Sequence, residues 1–317
     1  MNKALIKVLD CTIRDGGLIN DHHFSDEFVR AVYTALSKSN IDYMEIGYRA
    51  SKELSPPDGF GAWKFCDDDR IKKLIDGVES NLRLSVMIDA HRFKEQQFLP
   101  CDQSPLQMVR AATYIRDIDK AVDVIKKTHD LGYETTANLM AISREEDSDI
   151  IEGLKKLAAS PVDVVYIVDS FGAIFSDKVR HLIQMARDYI PDKAAGIHCH
   201  NSMQMAFANT IEGISQGATY ADASLYGMGR GSGNCCLELL LGYLKNPIYR
   251  LEPILKVIQD YMIPLREKYE WGYIIPFMIS GLLNEHPRSA TALRKSEERD
   301  SYDKFYEELS NKAENPD

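Results

Sequence analysis

The chain has 317 residues, 44% hydrophobic and 27% charged, a balance that suits a globular enzyme with length enough for a sizeable core. A net charge of −10 makes nucleic acid and anionic membrane surfaces poor partners. No stretch is long and apolar enough for a transmembrane helix, so no membrane association is expected.

The opening MNKALIKVLDCTIRDGG meets Asp10 too soon and lacks a small-residue cleavage site, so it is not read as a signal peptide. Six cysteines, Cys11, Cys66, Cys101, Cys199, Cys235 and Cys236, occur without a CxxC pair. They read as reduced thiols, and a cytoplasmic location is expected.

Strand-like apolar runs follow in order at Leu5–Asp10, Tyr43–Gly47, Leu82–Asp89, Met108–Tyr114, Glu134–Leu139, Val162–Asp169, Ala194–His200 and Tyr220–Gly227. Amphipathic stretches lie between most of them: Asp26–Ser37, Asp117–Leu131, Ser148–Ala159, Asp177–Tyr189 and Ser202–Gln216. Gly132 and Gly217 close two of these as helix ends. Strands alternating with helices imply parallel βαβ units, and eight of them close a barrel. No GxGxxG follows the first run, which sets aside a doubly wound sheet. The expected fold class is therefore α/β, a (β/α)8 TIM barrel over residues 1–245. A C-terminal helical extension over 246–317 follows. It opens with a long helix at Asn246–Lys268 and ends in a charged, solvated helix and frayed tail from Ser296 to Asp317.

A barrel collects its chemistry at the C-terminal ends of its strands. Those ends carry Arg14 and Asp15, Glu45, Tyr48 and Arg49, Asp89 and His91, Tyr114, Asn138, Asp169 and Ser170, His198 and His200, then Asp222 and Ser224. Helix N-caps account for Ser170, Asp177 and Ser202. They do not account for Glu45, His198 and His200, which sit inside apolar runs and need partners or a metal. Alternation puts His198 and His200 on one face of a strand. Two imidazoles and one carboxylate leave a divalent metal with open positions, and an arginine beside the carboxylate suits an anionic oxygen substrate. Taken alone, an HxH pair reads more readily as two ordinary strand histidines.

Three motifs carry a family resemblance. Leu9-Asp10-Cys11-Thr12-Ile13-Arg14-Asp15-Gly16-Gly17, Gly196-Ile197-His198-Cys199-His200-Asn201 and Gly227-Met228-Gly229-Arg230-Gly231-Ser232-Gly233-Asn234 resemble, in order, the signatures of the DRE-TIM metallolyases. Val168-Asp169-Ser170-Phe171-Gly172 brings the chain nearest to the 4-hydroxy-2-oxovalerate aldolase (HMG-CoA lyase-like) branch. The resemblance implies Asp15, His198 and His200 as metal ligands. It implies Asn234 as a fourth, with a helix cap as the alternative. Arg14 would steady an enolate oxygen and bind substrate, Glu45 would orient Arg14 or the metal's surroundings, and Asp169 and Ser170 would contact the substrate carboxylate.

The implied cofactor is a divalent metal, Mn2+ or Mg2+. The implied activity is a carbon–carbon lyase on a small-molecule 2-oxo acid, making or breaking a bond beside a pyruvate-type enolate. Such chemistry needs a Lewis acid on the ketone and a fixed positive charge where the enolate oxygen develops.

The chain departs from that branch at one place. Leu18 stands where the oxovalerate aldolases place a histidine base. His22 and His23, folded back over the site, are the replacements, with Tyr273 in Trp271–Phe277 as a competing candidate and His91 as a further one. Asn284-Glu285-His286-Pro287 could also approach the mouth. Three rival readings are a Claisen-type synthase joining acyl-CoA to a 2-oxo acid, a non-catalytic metal-binding barrel, and a two-His-one-carboxylate iron oxygenase. The last usually sits in double-stranded β folds. The C-terminal region is shorter than in classical members of the branch, so their dehydrogenase partner is not expected; a homo-oligomer is compatible with the sequence.

Overall fold

The computed structural model describes residues 5–54, 57–95 and 98–314. The first residues of the expected barrel domain, 1–4, and the last of the expected tail, 315–317, lie outside the described residues.

Among the described residues, the strands are β1 (Lys7–Asp10), β2 (Tyr43–Tyr48), β3 (Arg83–Asp89), β4 (Met108–Thr113), β5 (Glu134–Leu139), β6 (Val164–Asp169), β7 (Ala194–Cys199) and β8 (Tyr220–Ala223). Their residues are buried nearly throughout instead of alternating, because helices cover one face and the barrel interior fills the other. Each strand pairs in parallel with the next. β8 pairs with β1 from Lys7↔Tyr220 to Asp10↔Ala223, which closes the sheet. The fold is a (β/α)8 TIM barrel.

The helices around it are α1 (Thr12–Gly16), α2 (Asp26–Lys38), α3 (Asp68–Ile75), α4 (Ile118–Asp130), α5 (Asp147–Ala158), α6 (Ser176–Tyr189), α7 (Ala206–Ser215) and α8 (Leu237–Leu244). In α2 the Ser25 side chain accepts from the Phe28 N–H, and Phe28, Val29, Val32 and Leu36 form the inward stripe. β8 is shorter than the run Tyr220–Gly227 suggested. Ser224 leaves the sheet because its N–H bonds to the Cys235 carbonyl, and Tyr226 turns left-handed at φ 54°.

The long helix expected at Asn246–Lys268 is broken. α9 (Glu252–Val257) passes through a π-helical turn, Ile258–Met262, into α10 (Ile263–Arg266). Pro264 has no N–H to give to residue 260, so the regular ladder cannot run through it. Then come α11 (Ile275–Leu282), α12 (Arg288–Arg294) and α13 (Tyr302–Glu314). The helix expected in the charged tail is present, but Phe305 and Leu309 on α13 are buried against Phe277, Ile279 and Ala290. That face is packed, not solvated.

At the N-terminal end of the strands a polar layer floors the barrel. Glu134 accepts from the Tyr43 hydroxyl at 2.8 Å and the Tyr220 hydroxyl at 2.9 Å, and pairs with Arg83 at 2.7 Å.

Candidate active site

The chain rises out of β1 into the short turn of α1, and this buries Arg14 and Asp15 at the opposite, C-terminal end of the barrel. Asp10 fixes the turn by accepting from the Thr12 N–H and hydroxyl. Asp15 Oδ1 accepts from Arg14 Nη1 at 2.6 Å. Its Oδ2 accepts from Asn234 Nδ2 at 2.8 Å and the Arg230 N–H at 3.2 Å. Burial alone would raise this carboxyl, but His200, Arg14 and His198 hold it well below the usual carboxylate range. The loop after β8 closes tightly on it: a Cβ at Gly229 would stand 2.2 Å from Asn234 Nδ2 and 2.5 Å from Asp15 Oδ2.

His198, on β7, and His200, just beyond it, turn to the same side, with ring centroids 5.1 Å apart. His198 Nδ1 faces Asp222 Oδ2 at 2.9 Å, which leaves Nε2 as its free ring nitrogen. Burial pushes His200 down to about 3, so its ring is neutral, the form that binds metal. Donor atoms of Asp15, His198 and His200 all lie within 4.8 Å of one another. Asn234 pairs with His200 across an isolated bridge, and its buried Oδ1 has no hydrogen-bond partner among the described residues. One carboxylate, two imidazoles and an unpartnered amide oxygen fit a divalent ion.

Cys11, His198 and Asp222 form a second close group. There the Cys11 thiol donates to the Ala223 carbonyl, burial pushes it well up, and Asp222 is already paired with Arg110. It is a hydrogen-bonded support rather than an open cation site.

Arg14 is fixed twice: Nε donates to Glu45 Oε2 at 2.6 Å and Nη1 to Asp15. Glu45 also lies 2.9 Å from Arg110, which stands 2.7 Å from Asp222. A chain of alternating charges thus runs from Arg14 through Glu45, Arg110 and Asp222 to His198. No role was expected for Arg110. The signal was there, an arginine inside the apolar run Met108–Tyr114.

A cavity of about 80 Å³ opens beside the cluster. That is room for on the order of six water-sized groups, the size of a compact organic acid. Its walls include Tyr48, Met87, Tyr114, Asn138, Ser170 and Arg230, together with Arg14, Asp15, His198 and His200. A larger, open depression of about 730 Å³ lies near Arg49, Asp68 and Lys94 and holds none of the metal-cluster residues.

Several expected contacts are not made. Asp169 is buried away from the cavity and accepts from the N–H groups of Ala173 and Ile174; its neighbour Ser170 does line the cavity. His22 folds back, as its position suggested, but over Gly17. There its ring meets Tyr48 edge-on at 5.4 Å, and burial pushes it down to about 3. Tyr48, not His22, reaches the cavity. His23 turns outward to the Gly59 carbonyl at 3.2 Å, and Tyr273 is 58% exposed and outside the cavity. His91 is exposed as well. Proximity in sequence does not say which wall of a loop a ring will choose.

The C-terminal extension instead sends His286 to the mouth, where it lines the cavity beside Phe171. Its loop is tied down by Arg144–Glu285 at 2.7 Å and Ser143–Asn284 at 2.6 Å. Arg230 also lines the cavity, though it was expected only as part of a motif, with no role.

Comparison with known proteins gives the same placement. A family model described as HMGL-like matches residues 5–250. A 4-hydroxy-2-oxovalerate aldolase of Carboxydothermus hydrogenoformans is 29% identical over 266 residues, 82% of this chain and 77% of that protein. An oxaloacetate decarboxylase of Mycobacterium tuberculosis is 28% identical over 239 residues, 75% of this chain and 69% of the other. Among solved structures, the N-terminal domain of a "putative aldolase" from Bacteroides vulgatus superposes with TM-score 0.81 at 30% identity, covering 92% of this chain and 97% of that one. The chain belongs to the HMGL-like family, and its relatives support a metal-dependent lyase.

Proposed function

We propose that this member of the HMGL-like family is a divalent-metal-dependent aldolase that makes or breaks the carbon–carbon bond beside a pyruvate-type enolate, with 4-hydroxy-2-oxo acids as its substrate class. The observation that carries this reading is the juxtaposition of a doubly anchored Arg14 with the Asp15, His198 and His200 cluster on one cavity. Asp15, His198, His200 and Asn234 would hold the ion; mixed oxygen and imidazole donors favour Mn2+ over the thiolate-preferring metals, and Mg2+ is the other ion the family resemblance implies. When bound, it supplies Lewis-acid polarisation of a 2-oxo group and a point of attachment for the neighbouring carboxylate.

The protein's own groups do the rest. Glu45 and Asp15 occupy Arg14 Nε and Nη1, which leaves Nη2 for a substrate oxygen. Negative charge grows on that oxygen as the bond breaks, so a fixed guanidinium stabilises the transition state more than the bound substrate. Asp222 holds His198 Nδ1 and so fixes which ring nitrogen is offered to the ion. Ser170 Oγ accepts from the Ala141 N–H and keeps its own proton to give to a carboxylate. Asp169 is assigned to holding the loop that carries Ser170. His22, His23 and Tyr273 are not assigned the proton of the substrate alcohol. Aldol cleavage and oxaloacetate decarboxylation leave the same enolate, so one residue set serves both activities named among the relatives.

The test is exchange of pyruvate methyl protons with deuterated water, run beside pyruvate release from 4-hydroxy-2-oxopentanoate. Both should require added Mn2+ or Mg2+ and disappear with a chelator. Absence of both activities in metal-loaded protein removes the reading.

A further inference from the structure

Three guanidiniums stand at or just beneath the candidate site, and the protein neutralises two of them. Arg14 pairs with Asp15 and Glu45, and Arg110 with Glu45 and Asp222. Arg230 is different. Its Nη2 donates to the Ser170 carbonyl at 2.7 Å, but among the described residues its guanidinium makes no ion pair. Asp15 is the one acid among the residues that line the cavity, and Arg14 already holds it. Burial and the facing Arg14 charge both work against the Arg230 cation, while Asp15 favours it. Arg230 is half-buried, and a cation drawn partly out of water with no protein counter-charge favours an anion beside it.

Its neighbour on the cavity wall points the same way. His286 Nδ1 accepts from the Arg288 N–H at 3.1 Å, so the neutral ring carries its proton on Nε2 and is a donor. Arg230, Arg288 and Arg144 are the cations that face this ring, and Glu285 is the acid. Glu285 is taken up by Arg144. The mouth therefore offers a guanidinium and an imidazole N–H on one cavity wall, with no carboxylate left free for them among the described residues that line it.

We propose that Arg230, assisted by His286, selects a substrate whose leaving half carries a second carboxylate: a 4-hydroxy-2-oxo diacid in place of a monoacid with an alkyl end. This rests on the aldolase reading of the same site. In the cleavage the C3–C4 bond breaks and its electron pair stays on C3 as the pyruvate enolate. The 4-hydroxyl gives its proton to solvent water, and C4 becomes the carbonyl of a short oxo acid whose carboxylate remains on Arg230. The enolate then takes a proton from solvent and leaves as pyruvate. Arg14 serves the enolate end and Arg230 the departing end.

Two pairs of probes of equal skeleton test this. 2-Oxoglutarate and 2-oxopentanoate differ only in a carboxylate for a methyl and have no 4-hydroxyl to cleave. Calorimetric titration of the metal-loaded wild type should show the diacid binding roughly 10- to 100-fold more tightly, the worth of a hydrogen bond to a charged group. The same preference should appear in kcat/KM for 4-hydroxy-2-oxoglutarate over 4-hydroxy-2-oxopentanoate. R230Q should abolish both preferences, R230K should keep part of them, and H286A should reduce them by a smaller factor. Equal affinity for the two binding probes in the wild type overturns the proposal without any variant, and so does an undiminished preference in folded R230Q. Failure of the aldolase reading shows separately, as loss of pyruvate proton exchange, a step in which no second carboxylate takes part.

Discussion

Both ends of the barrel carry a polar layer, partly buried at the floor and more deeply at the mouth, and the two are finished differently. At the floor, Glu134 has two tyrosine hydroxyls and Arg83, so its oxygens are satisfied within the protein. At the mouth, Asn234 Oδ1 has no partner and Arg230 no counter-charge among the described residues. A closed layer adds to stability; an open one keeps bonding capacity for a ligand. Substitutions at the floor should therefore act on folding, and those at the mouth on binding and rate.

The largest break in that contrast should come from Asp15→Asn. It removes one expected ligand and an ion-pair partner of Arg14, so metal content by elemental analysis should fall from about one ion per chain to near none, and activity with it. Full metal retention would show that the cluster is a structural network like the floor. Arg14→Lys keeps the charge and loses the planar fork. kcat should drop by roughly 100- to 1000-fold, with a much smaller rise in KM. A change in KM alone would make Arg14 a substrate clamp.

Glu134→Gln sharpens the contrast from the other end. The amide cannot serve both tyrosines and Arg83 as the carboxylate does, and denaturant melts should show a loss of about 1–3 kcal/mol. Metal content and kcat should stay at wild-type values; a fall in either would link the floor to the mouth. The smallest effect is one of pH. Burial holds His22 at about 3 in the folded chain, against 6.5 as its ordinary value. The unfolded chain takes the proton first, so stability is full above pH 6.5 and declines as pH falls toward 3. The decline should reach about 2 kcal/mol by pH 5. His22→Asn, which tolerates the left-handed backbone there (φ 64°), should flatten that acid limb. Identical limbs in the two proteins would mean that His22 is solvated.

The strand order and the HxH face could be read from the chain because both are repeats with a period: apolar runs every few tens of residues, and alternation along β7. Glu45 was legible as a charge lodged in an apolar run, and Arg14 and Asp15 as a charged pair just past the first run and inside the first motif. What escaped depends on loops. Asp169 stands at a strand end like its neighbours, yet the β6–α6 turn offers it N–H groups and it takes them. Tyr273 and His286 lie thirteen residues apart in one extension. The docking of Asn284 and Glu285 on Ser143 and Arg144 decides which of them enters the mouth, a tertiary contact with no local signature. The break at Ile258–Met262 did have a signature, Pro264, whose missing N–H also limits how far a regular helix can run.

Five positions, Arg14, Glu45, Arg110, Asp222 and His198, are tied into one chain of contacts. Each interior charge leans on two neighbours, so replacing Arg110 alone would leave Glu45 with Arg14 only and Asp222 with His198 only, a loss of about 3–5 kcal/mol for a broken buried pair. That is a large share of the ~5–15 kcal/mol margin of a domain. A single step out of the arrangement is therefore heavily penalised, and a matching change at the next member would relieve the penalty. Arg230 and His286 stand outside this chain of pairs, so a change at either leaves its ion pairs intact.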